Sequence, residues 1–231
     1  MLGVLANVFA VVIGTLIGCL FGARIPGRVK ETLMQALGLC VMLIGLKGAI
    51  TTMDIMGVIV CMVLGTLAGS LIGIEKGLFK LGEKAQKLLG DKGKTNRSVG
   101  NAFVTASLVF CVGAMAIVGS LDSGLRGDHA TVLAKAALDG VASVVFASTL
   151  GAGVALSALA ILLYQGGITL LAGTLAPLLS GGVIAEMSAI GGLLVMAIGI
   201  NMLFNTKIKV GDMLPAIFLP MAYIPLLAVF G

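Results

Sequence analysis

From Gly140 to Ala185 the chain carries no charged side chain, a run longer than two membrane spans at about 20 residues each. A soluble fold has no use for so much unbroken apolar sequence. With 59% hydrophobic and 11% charged residues, there is too little polar surface to cover a water-exposed core. The chain therefore reads as an all-α polytopic membrane protein, one transmembrane domain over residues 1–231.

Apolar runs between charges place eight spans, at about 2–22, 33–50, 54–74, 99–119, 131–150, 152–179, 187–205 and 211–230. Loop charges orient them. Arg24, Arg28 and Lys30 follow the first span, Lys76, Lys80, Lys84, Lys87, Lys92, Lys94 and Arg97 follow the third, and Lys207 and Lys209 follow the seventh. All fall on one side, which the positive-inside rule makes the cytoplasm, leaving both termini outside. The run from Leu2 to Gly22 has its basic residues after it, the wrong polarity for a cleaved signal peptide. A multi-pass protein with these basic loops facing the cytoplasm is expected. The net charge of +5 sits at span ends, so nucleic acid is not an expected partner. Cys19, Cys40, Cys61 and Cys111 lie inside apolar runs without metal-ligand spacing and read as packing residues.

The connector at 75–98 puts Leu78, Leu81, Ala85 and Leu88 on one helical stripe and Lys76, Lys80, Lys84 and Lys87 on another. It is either an amphipathic helix on lipid headgroups or a connector packed on its own protein. Glycines spaced by four, Gly14, Gly18 and Gly22 in span one and Gly65, Gly69 and Gly73 in span three, let another backbone approach closely, within one subunit or across a homodimer. The rival role is to line a permeation path. GLCVMLIGLK at 38–47 echoes GLLVMAIGIN at 192–201, and Gly14-Thr15-Leu16 echoes Gly173-Thr174-Leu175. Because the two echoed decapeptides run in opposite directions, spans one to three and six to eight suggest inverted repeats, an arrangement common in secondary transporters.

A carboxylate at membrane depth is expensive, so Asp139 is the first candidate for a solute or ion site. Lys135 and Ser143 lie four residues to either side, on its helix face. One reading is a Lys135–Asp139 pair that neutralises itself; the other is an ion, proton or substrate site. Asn7, Gln165 and Asn201 are candidate partners from other spans. Gln35, Lys47, Tyr164 and Asn205 read as interhelical hydrogen bonds or interface residues. In the turn LDSGLRGDHA at 121–130, the lone histidine His129 is expected to be solvated. No HExxH, paired CxxC or GxSxG motif occurs, so no enzyme, metal or cofactor is expected. What remains is a transporter or channel for a small solute or ion, or a non-transporting scaffold or accessory protein.

FVTASLVFCVGAMAIVGSLDSGLRGDH at 103–129, LDG at 138–140, FASTLGAGV, LYQGGITLLA, EMSAIGGLLVMAIGIN and KIKVGDMLPAIF resemble the bacterial membrane family called domain of unknown function 554, the YqgA- and YdfK-like proteins. With TLMQALGLC in span two and the Asn7-bearing first span, the resemblance covers nearly the whole chain. Family members often carry proline near Gly113-Ala114, where this chain has Ala114. The resemblance implies an inner-membrane protein that transports something and assigns no substrate or catalytic residue.

Overall fold

In lipid each backbone N–H and C=O must be bonded within its own segment, and the apolar runs accordingly fold as helices. The computed structural model describes residues 1–22, 24–78, 80 and 96–224. In chain order these include α1 (Leu2–Gly22), α2 (Gly27–Ala49), α3 (Ile55–Ile72), α4 (Asn96–Cys111), α5 (Ala114–Leu125) and α6 (Ala130–Leu150). A 3-10 turn at Ala152–Leu156 leads into α7 (Ser157–Leu170), a single turn α8 (Ala172–Leu175), α9 (Gly181–Phe204) and a 3-10 segment at Val210–Phe218. No strand occurs among the described residues.

Six of these helical stretches are long and apolar enough to cross a membrane, or seven if the bent pair α4–α5 counts as one. The eighth expected span, 211–230, begins as the shorter apolar stretch Val210–Ile224, with Pro215 inside it; the rest lies outside the described residues. So does most of the amphipathic connector expected at 75–98.

The fourth expected span is not straight. Its halves meet at 61°, because Gly113 sits at φ 123 and ψ 149, a region that side chains rarely adopt. Val112 N–H still bonds the Leu108 carbonyl at 2.8 Å, and regular bonding resumes only where Ala116 N–H reaches Gly113 at 3.1 Å. α5 then runs to Leu125 rather than stopping near 119. α9 likewise starts at Gly181 instead of 187, because Ser180 Oγ caps the Val183 N–H at 3.4 Å. Glu186 thereby falls inside the helix.

Glycines fix which helices touch. α1 runs parallel to α6: a Cβ on Gly14 would strike Ser143 and the Gly140 carbonyl. One on Gly18 would come within 2.8 Å of Ala147 Cβ, and one on Gly22 within 2.6 Å of the Ser148 carbonyl. α2 runs antiparallel to α9, where Cβ atoms on Gly45 and Gly192 would lie 2.7 and 2.6 Å from each other's carbonyl oxygens. α3 runs antiparallel to the final 3-10 segment, with Gly65 against Ala216 Cβ at 2.6 Å and Gly69 against Pro215 at 3.1 Å. Gly73 does not join that face. At φ 74 it ends α3, its N–H bonded to the Gly69 carbonyl at 2.8 Å.

The pairs give the bundle two ends. At the basic end α1 and α3 finish, α2 begins and Arg24 and Arg28 lie; at the other are Thr52, Asp54 and His129.

Candidate functional site

Asp139 and Lys135 are each 6% exposed, so both charges need partners within the protein. Their spacing on α6 brings Lys135 Nζ onto Asp139 Oδ2. From α1, Asn7 Nδ2 donates to the same carboxylate oxygen at 2.9 Å, and its second N–H goes to Gln165 Oε1 on α7 at 3.2 Å. Asn7 and Gln165 are fully buried. Three helices are thus joined through one amide. With both N–H groups of Asn7 committed, its Oδ1 has no partner, nor does Gln165 Nε2.

Of the six residues singled out from sequence, four meet here: Asp139, Lys135, Asn7 and Gln165. Ser143 does not. Its hydroxyl bonds back to the Gly140 carbonyl at 2.7 Å and fills the groove against Gly14. Asn201 lies at the basic end, where it clasps Ile208 through two 2.9 Å hydrogen bonds and accepts from Thr206 at 2.7 Å. Its role there is to hold the turn after α9. His129, expected to be solvated, is half-buried and shares a 2.8 Å hydrogen bond with Ser123 Oγ.

The helix break adjoins the buried pair. Cys111, the last residue of α4, lies within electrostatic reach of both Lys135 and Asp139. It also lines an almost wholly apolar cavity of about 250 Å³, which extends from Leu78 and Phe103 toward Cys111, Val112 and Tyr164. Ser107 lines the same cavity and its buried hydroxyl has no partner. Among the described residues no group of three or more His, Cys, Asp or Glu is placed to hold a metal ion.

Two further carboxylate knots close the bundle ends. Glu186, 4% exposed, accepts from Thr52 Oγ1 at 2.6 Å and from the N–H groups of Met53 and Asp54 at 2.8 and 3.2 Å. Asp54 caps α3 through Gly57 N–H at 2.9 Å and accepts from the Tyr223 hydroxyl. That hydroxyl, and then the Gly57 N–H, hold the Asp54 carboxyl below the usual carboxylate range. At the basic end Glu75 Oε2 accepts from Gly211 N–H at 2.7 Å while Asp212 Oδ1 accepts from Glu75 N–H at 2.9 Å. Burial pushes the Glu75 carboxyl up, partly opposed by the Gly211 N–H. Sequence reasoning missed these knots because Asp54, Glu75, Glu186 and Asp212 lie at or near span ends, where a carboxylate draws no attention.

The family described as "Protein of unknown function (DUF554)" matches residues 2–225. "Uncharacterized membrane protein YdfK" of Bacillus subtilis (strain 168) is 31% identical over 236 residues, covering 100% of this chain and 99% of that protein. "Uncharacterized protein YqgA" of Escherichia coli (strain K12) is 29% identical over 223 residues, covering 96% of this chain and 95% of that one. No solved structure matches at a significant level.

Proposed function

The chain belongs to the DUF554 family, as a polytopic helical membrane protein, and we propose that it is a secondary transporter of a small solute or ion in the bacterial inner membrane. The observation that carries this reading is the juxtaposition of a broken helix, α4–α5, with the buried Lys135–Asp139–Asn7–Gln165 network. Interrupted helices are tolerated at depth where they line a cavity, and transporters place their coupling sites at such breaks. The cavity that reaches Cys111 provides one approach, from the basic end, which the lysine and arginine loops make cytoplasmic.

In this mechanism Asp139 is the ion-responsive group. With Lys135 beside it the ionised pair is neutral overall. Protonation or cation binding at the carboxylate adds a positive charge in a low-dielectric site, and that change biases the packing of α1, α6 and α7 to which the network is tied. No catalytic residue, cofactor or metal is assigned. The echo between α2 and α9 supports the reading, with the inverted repeat as part of the proposal. Gly38, Met42 and Gly45 of α2 correspond in order to Gly192, Met196 and Gly199 of α9. The contacts are reciprocal, Met196 against Gly45 and Met42 against Gly199, as a two-fold axis in the membrane plane requires.

The test is electrical. Proteoliposomes adsorbed to a sensor surface are given amino acids, organic acids, sugars and inorganic ions in turn, with and without a proton gradient. A solute-dependent current that Asp139→Asn abolishes supports transport. A current fully retained by Asp139→Asn removes Asp139 from the cycle and leaves the pair as a structural element.

A further inference from the structure

Four buried polar atoms on α1, α5 and α7 have no partner in the protein: Asn7 Oδ1, Gln165 Nε2, Thr169 Oγ1 and Ser120 Oγ. Their placement follows from helix register. Gly153, just before α7, meets Val99 and Ala102 near the start of α4, while Gly124 on α5 meets Thr169 and Ala172. The bent span α4–α5 and α7 therefore start from the same end and meet again at Gly124. Ser120, one turn before Gly124, is on the side of α5 that meets α7, and Gln165 and Thr169, four apart, share a face of α7. Above Ser120 on α5 comes Ser123, whose hydroxyl bonds His129 Nδ1 at 2.8 Å.

Buried hydroxyls and amides are almost always satisfied by protein or ordered water, and each unsatisfied one is costly. A row of such atoms ending on a carboxylate is a polar track rather than scattered defects. From this geometry we propose that Asn7, Gln165, Thr169 and Ser120 hold a short file of water molecules through which protons pass between the Ser123–His129 pair and Asp139.

The step is a proton transfer with no other chemistry. The His129 imidazolium gives up a proton and returns to neutral imidazole, each water passes one proton on, and the Asp139 carboxylate becomes the acid. One positive charge moves inward. Among the described residues the charged groups at the two ends are Lys135 on α6, with Cys111 of α4 in reach, at the Asp139 end, and Asp122 of α5 with Arg126 and Asp128 in the turn after it at the His129 end. The inference rests on Asp139 being the ion-responsive group and names its ion as the proton.

The test reads proton arrival and needs no substrate. Infrared difference spectroscopy after a pH jump follows the protonated carboxyl band that Asp139→Asn removes. Ser120→Ala with Thr169→Val, and separately His129→Gln, should slow its appearance roughly tenfold or more, and Thr169→Ser should keep the parent rate. An unchanged rate in the double variant, with a melting temperature equal to or above the parent's, overturns the file, because removing unpaired hydroxyls from a dry core is neutral or stabilising. Radiolytic water labelling of the unmodified protein gives a second reading, expected at Gln165 and Thr169; no labelling there also overturns it. Slow proton arrival in variants that still move solute at the parent rate would leave the file standing while excluding Asp139 from transport.

Discussion

Asn7 Nδ2 donates to Asp139 Oδ2 at 2.9 Å, so the stability of a buried carboxylate on α6 depends on an amide supplied by α1. Replacing Asn7 with Leu removes that donor and the bond to Gln165 together. The expected loss is about 1–3 kcal/mol, the penalty for leaving buried polar groups unpaired. Thermal unfolding in detergent checks it, and Asn7→Leu combined with Asp139→Asn should lose less than the sum of the two single changes, since they share one contact.

The glycine faces of α1 and α3 predict overpacking. Gly18→Leu would drive a side chain into Ala147, and Gly69→Leu one into Pro215. Each should destabilise by about 1–3 kcal/mol. Gly27, with nothing within 4 Å of its Cβ position, is the control: Gly27→Ala should unfold like the parent protein.

The two end knots respond to acid in opposite senses. Asp54 has a folded value below the ordinary 3.8, so its contribution is present above that ordinary value and lost as pH falls through the folded one. Tyr223→Phe removes the largest cause, and the acid midpoint of unfolding should move up. Glu75 is raised above 4.5, so its ionised form weakens the fold above its folded value, and stability is recovered as pH falls toward 4.5. Glu75→Gln should remove that recovery. Melting temperature against pH for the two variants distinguishes the ends.

Cys111 offers a direct reading of access. In a chain with Cys19, Cys40 and Cys61 replaced by serine, a membrane-impermeant thiol reagent should label Cys111 from the basic side in inside-out vesicles, through the cavity that reaches it. Solute that favours the opposite conformation should suppress the labelling. Because a buried thiol in an apolar cavity reacts slowly, the reading is the change in labelling rate on adding solute, and no change with any solute would favour a scaffold.

The sequence disclosed what carries a cost at membrane depth. Asp139 stood out because a carboxylate alone in an uncharged run has few harmless explanations, and Asn7 and Gln165 because amides in such runs must find partners. The glycine seams were legible for the same reason, since spacing by four leaves a visible stripe. The break at Gly113 was not. Among 34 glycines, the one at φ 123 differs from its neighbours only in backbone angle, which no residue type records. Ser143 and Asn201 were misplaced because helical spacing says which face a residue occupies, not whether its hydrogen bonds are spent on its own backbone. Glu186 looked like the edge of a span until Ser180 proved to cap the helix earlier.

The close approach of α1 and α6 has a mechanical consequence. Where Gly14, Gly18 and Gly22 let one backbone rest directly on another, no long side chain remains to rearrange, so the two helices cannot slide past each other without collision. The same holds for α2 with α9. A pair packed this way is held by direct backbone contact, and the chain leaves α6 at Gly151, whose positive φ of 85° a glycine adopts without strain.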